Sequence, residues 1–168
     1  MTSKTDFTEE EWERLGRAPL IAGMAISFAD PGGPIEAIKE SSAALKTLID
    51  AANDSAKGEF VQAIAQDVAA KAQKRENPLS GFKPDRHNAV QDILDELRAV
   101  NALLVEKAAP EDAADYREWI KTAAQKSALA AKEGGFFGIG AERVSDREQK
   151  MLDTLGEIFA ATPPAPQR

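Results

Sequence analysis

The chain has 168 residues, a net charge of −7, one histidine and no cysteine. That length suits one domain burying about 70% of its unfolded surface, so a core forms without staples. Missing cysteine excludes disulfides and thiolate chemistry, the lone histidine limits metal sites to carboxylate oxygens, and the acidity argues against nucleic acid as a partner.

The first helix is well signalled. Thr8 and Glu11 form a Thr-x-x-Glu capping box, and Phe7 and Trp12 occupy the two positions of a hydrophobic staple, so a helix starts at Glu9. Pro19 lacks the N–H that the helical ladder needs, which predicts a kink or restart. Leu20 to Ala29 is apolar nearly all round, as expected of a buried central helix, and Gly23 and Ala25 let neighbours approach closely. Asp30-Pro31-Gly32-Gly33-Pro34 ends it.

Helical periodicity resumes from Ile35 to about Ala52, breaks over Asn53–Gly58, and returns with Phe60, Val61, Ile64, Ala65 and Val68 on one face. Asn77 to Pro84 is a loop, with Asp85 as the expected N-cap of a helix from about Arg86 to Lys107. Its apolar stripe is Val90, Ile93, Leu94, Leu97, Leu104 and Val105. Pro110 opens a helix running to about Glu133, whose small residues predict a close helix pair. Ser145 and Glu148 make a second capping box before a last helix through Phe159. No run alternates with period two for long enough to make a strand. The expected fold is all-α, a single-domain bundle of six or seven helices around a central apolar helix. It spans residues 1–161, and 162–168 form a disordered Pro-rich tail.

Charge is unevenly spread. Residues 71–87 carry five basic and two acidic side chains, between strongly acidic flanks. Complementary faces within one globule explain this, and a basic strip for an anionic ligand is the sharper reading. The longest uncharged apolar stretch, Ala18–Ala29, is shorter than the about 20 residues that cross a bilayer, so no integral membrane segment is expected. Glu9, Glu10, Glu11 and Glu13 precede it where a signal peptide is basic, which makes the expected location cytoplasmic.

Candidate chemistry is sparse. Asp92, Asp95 and Glu96 share a helix face, but the helical wheel turns that face to water. A di-iron bundle needs a Glu-x-x-His on each of two helices, and His87 is the only histidine. A hydrolase would have to bring Ser41, Ser42 or Ser80 to His87 in space. Asn101 lies inside the apolar stripe between Leu97 and Leu104, as an interhelical hydrogen bond or as a polar group in a ligand pocket. Gly134-Gly135-Phe136-Phe137-Gly138-Ile139-Gly140 follows a helix, not a strand, and lacks a Walker lysine, so it is no phosphate loop. Gly134 reads as a helix cap. Phe136, Phe137 and Ile139 either pin the connection to the core or form an apolar knob for a partner or a membrane surface.

The stretch Phe7-Thr8-Glu9-Glu10-Glu11-Trp12 leading into Arg17–Ala25, with Glu133–Gly140 and Val144–Glu148, resembles a family of uncharacterised small bacterial all-helical proteins. The resemblance implies a bacterial single-domain helical protein and brings no activity, cofactor or catalytic residue. The sequence thus singles out no reaction. Its leading functional reading is a non-enzymatic protein that binds a protein partner or itself, without a cofactor, through Phe136, Phe137 and Ile139. The alternative is a bundle binding a small apolar ligand or lipid, with Asn101 in the pocket.

Overall fold

The structure is a computed structural model that describes residues 1–29, 44–54, 56–85, 87–132 and 144–160. A short 3-10 turn, Lys4–Asp6, leads into α1 (Glu9–Ala29). After it come α2 (44–51), α3 (Glu59–Gln73), α4 (Ala89–Lys107), α5 (Pro110–Lys132) and α6 (Asp146–Ala160). Among the described residues there is no strand. The fold is an all-helical bundle in which α1 packs against α3, α4, α5 and α6, most extensively against α5.

Both predicted capping boxes form. Thr8 N–H donates to Glu11 Oε2 at 2.7 Å, and Glu11 N–H returns a bond to Thr8 Oγ1 at 3.3 Å. Ser145 and Glu148 repeat this at α6, at 2.7 and 3.2 Å. The staple closes as well, with the Phe7 and Trp12 rings 5.9 Å apart. Phe7 stacks on Phe60, which meets Tyr116, which meets Trp119 edge-on. This aromatic chain ties the N-terminal turn to α3 and α5.

Pro19 does not restart the helix: α1 is helical on both sides of it. The missing N–H leaves Leu15 C=O, four residues earlier, without its ladder donor. That carbonyl is buried and accepts the Tyr116 hydroxyl at 2.6 Å. A side chain from α5 thus stands in for the lost backbone bond.

Gly23 brings α1, α2 and α5 together. A Cβ there would lie 2.8 Å from Ala44 Cβ and 2.9 Å from Ser127 Oγ, so a glycine is what the contact admits. Gly23→Ala is expected to cost about 1–3 kcal/mol by overpacking, read as a lowered urea midpoint at unchanged m-value.

Several expectations need correction. Asp85 is not the N-cap of α4; Asn88 is, and the Asp85 carboxylate instead accepts the His87 N–H. Val90 and Val105 lie at the exposed margins of the α4 stripe. Glu96 does not face water. Its side chain is 11% exposed, and Oε1 accepts Arg14 Nε at 3.0 Å, Arg17 Nε at 3.2 Å and Arg17 Nη2 at 2.9 Å. Asp95 is exposed, as expected, and pairs with Arg98. The helix predicted from Ile35 is described only over 44–51, and the glycine loop and the Pro-rich tail lie outside the described residues.

Candidate functional site

Just after the Thr8 cap, the first half of α1 carries Glu9, Trp12, Glu13, Gly16 and Arg17 at spacings that put them on one side of a helix. Ile64, Asp67, Val68 and Lys71 do the same on α3. The two faces meet closely because Gly16 has no side chain; a Cβ there would lie 2.9 Å from Val68 Cγ2. Between them runs a groove of about 280 Å³, with Lys4 and Phe7 at one end and the 77–80 loop at the other. Its volume is near the lower limit, roughly 300 Å³, of cavities that hold small molecules.

The floor is apolar, built from Phe7, Trp12, Ile64 and Val68, all buried. The rim is charged. Trp12 Nε1–H donates to Asp67 Oδ2 at 2.7 Å, and the same oxygen accepts the Lys4 ammonium. The ammonium also lies 5.7 Å from the centroid of the Trp12 ring. Lys71 pairs with Glu13 across the groove.

At the far end Arg17, 3% exposed, gives Nη1–H to Ser80 C=O at 3.0 Å, so the loop is fastened to the buried Arg17–Glu96 pair. Gly81 follows with a φ of +81°, a region where a side chain is strained. Asn77 steadies the loop by accepting the Leu79 N–H on its Oδ1.

Burial pushes the Asp67 carboxyl up, but the Lys4 ammonium and the Trp12 indole N–H outweigh it and hold the pKa below the usual range. A depressed carboxyl stabilises the fold above its unfolded pKa, about 3.9, and that contribution is lost as pH falls through the folded value. The Trp12 indole proton resonance should therefore shift on acidification with a midpoint below about 3.9. A midpoint at or above that value would show Asp67 to be unpaired.

Of the residues singled out in the sequence, Ser80 lines the groove, and Asn101 and His87 do not. Asn101 is buried between α4, α5 and α6; its Nδ2–H donates to Ile158 C=O at 2.9 Å and its Oδ1 accepts Arg117 Nε at 2.9 Å. Ile158 is in the last turn of α6, where carbonyls have no intrahelical donor, so the Asn101 amide caps that helix end from a neighbouring helix. Asn101 does not line the groove. His87 is exposed, and its ring has no partner among the described residues. Phe136, Phe137 and Ile139 lie outside the described residues. Among the described residues no group of three His, Asp or Glu side chains is placed to hold a metal ion, and no helix is long and apolar enough to cross a membrane.

A second, more open depression of about 700 Å³ lies between α5 and α6, edged by Leu129, Val144 and Leu152. Leu129 is 55% exposed there.

No family model matches the chain, and no curated protein or solved structure matches it. The comparisons lend no support to the resemblance to small bacterial helical proteins. A functional reading rests on the residues of this chain.

The groove was missed in the sequence because its two walls are some fifty residues apart. One signal was present: Trp12 stands among Glu9, Glu13 and Gly16 on a single helix face. A staple explains the Trp12–Phe7 contact but not that charged surround.

Proposed function

We propose that this protein binds a small molecule in the groove between α1 and α3. One observation carries the reading: an indented apolar floor with a charged and hydrogen-bonding rim, the arrangement that buries a ligand's body and orients its polar end. Asn77 and Ser80 both line the groove, and Asn77 Nδ2 and Ser80 Oγ have no hydrogen-bond partner among the described residues. The small-molecule reading thus moves from Asn101, whose amide is engaged by other helices, to the groove between α1 and α3. Among the described residues that line the groove no hydroxyl is paired with a general base, which favours binding over catalysis as its role.

A fragment screen by amide and indole NMR tests the proposal. Hits should perturb Trp12, Ile64, Asp67, Val68 and Ser80 together. Hits clustering elsewhere, or none at all, overturn it.

A second reading, self-association, draws on the exposed Leu129 beside Val144 and Leu152. Light scattering across a concentration series measures it. A dimer that Leu129→Glu dissociates supports that reading, and a monomer throughout ends it.

A further inference from the structure

Resting on the reading that the groove takes a small molecule, we infer that its ligand is an organic ammonium ion with an apolar or aromatic body, and that Lys4 is a built-in competitor for the same place. The Lys4 ammonium already shows what the site accepts. It lies against the Trp12 ring, 5.7 Å from the centroid, and on Asp67 Oδ2. An aromatic face combined with a carboxylate is a general way to hold an alkylammonium, the ring quadrupole and the anion both attracting the cation.

The two partners in this pair are unequally fixed. Asp67 projects from the middle of α3, its side chain is the less exposed at 41%, and the Trp12 indole N–H holds it. Lys4 is 58% exposed, sits on a three-residue turn, and reaches the site on a flexible four-carbon stem. The carboxylate belongs to the wall, and the ammonium is the replaceable part.

Charge around the groove points the same way. Glu9, Glu13 and Asp67 face Lys4 and Lys71, while Arg17 is spent on Glu96 and Ser80 C=O. Glu9 has no ion-pair partner among the described residues. Once Lys4 swings away, the Trp12 end presents Asp67 and Glu9, and the remaining cation that acts on Asp67, Lys71, is paired with Glu13. An incoming ammonium replaces that charge, and its hydrocarbon part covers Phe7, Ile64 and Val68.

Three probes with the same phenyl ring and two-carbon arm separate the possibilities: 2-phenylethylammonium, 3-phenylpropionate and 2-phenylethanol. Binding to the full chain is followed by calorimetry and by the Trp12 indole resonance. The resonance is assigned from a Trp119→Phe spectrum, since the chain has two tryptophans. The ammonium probe should bind about tenfold or more tighter than the other two. Lys4→Ala should tighten it about fivefold by removing the competitor, and Asp67→Asn should weaken it about tenfold.

Lys4 is an exposed side chain, so its variant is informative even if Asp67→Asn is poorly folded. Tighter binding of the carboxylate, or weaker ammonium binding in Lys4→Ala, overturns the ammonium assignment. Equal binding of all three probes overturns it too, while leaving the groove as a ligand site. Binding of none overturns it as well, and an empty fragment screen beside that result removes the groove reading.

Discussion

Replacing Glu96 with alanine is expected to destabilise the protein by about 3–5 kcal/mol, measured by urea or thermal unfolding. Arg17 is 3% exposed and gives two of its guanidinium N–H groups to Glu96 Oε1, which also takes Arg14. Taking the carboxylate away leaves Arg17 buried and charged with Ser80 C=O as its only acceptor among the described residues, and two cations, Arg14 and Arg17, side by side. The loss comes from an orphaned charge, not from the worth of a salt bridge. Removing both charges should therefore be milder. Arg17→Met with Glu96→Leu is expected to recover most of the stability, as apolar replacement of buried pairs does elsewhere. It should also loosen the 77–80 loop, because the Ser80 anchor goes with the guanidinium. A double variant as unstable as Glu96→Ala would mean that the pair is needed for more than charge balance.

Tyr116→Phe should cost about 1–3 kcal/mol, because it strips the side-chain donor that Leu15 C=O has in place of the Pro19 N–H. The cost should shrink in a Pro19→Ala background, where the residue 19 N–H is restored to the ladder. A thermodynamic cycle over the two positions reads that coupling directly. Additive losses would show that the hydroxyl and the proline act independently. Burial pushes the Tyr116 hydroxyl well above the ordinary tyrosine range, so it stays a donor in the folded state. A raised pKa gives stability that is whole below the unfolded value, about 10, and is lost as pH rises beyond it. Alkaline unfolding should accordingly shift to higher pH in Tyr116→Phe, once its lower baseline stability is allowed for.

These two predictions show where local reading ends. The capping boxes of Thr8 with Glu11 and Ser145 with Glu148 are legible because their partners are three residues apart and the geometry follows from the helix itself. The buried faces of α3 and α4 are legible for the same kind of reason. Phe60, Ile64, Ile93 and Leu97 recur at the helical period, and water expels them on one side. Pro19 obeys its local rule, a lost N–H and an orphaned carbonyl, and of the expected kink or restart the restart does not occur. The Tyr116 hydroxyl, 101 residues away, removes the penalty. Glu96 fails in the opposite direction. A wheel drawn for α4 alone turns it to solvent, and two arginines on α1 turn that margin into an interior.

Asn101 was readable as a buried amide needing partners, because its place in the apolar stripe is a property of one helix. Which groups it meets was not readable. Ile158 and Arg117 come from two other helices, and only their packing selects them over a ligand. The groove is the extreme case, with one wall from α1, one from α3 and an end from the 77–80 loop.

The amino-acid sequence by itself determined an acidic helical bundle, the starts of α1, α5 and α6, and the small residues, Gly23 among them, that let α1 sit at the centre. Those features follow from hydrophobic period, capping chemistry and side-chain size, all of which act within a few residues. Tertiary structure alone decided that Leu15 C=O and Glu96 are satisfied from afar, and that Trp12, Asp67 and Lys4 meet over an apolar floor. Those outcomes depend on which helices become neighbours, and no local propensity encodes that.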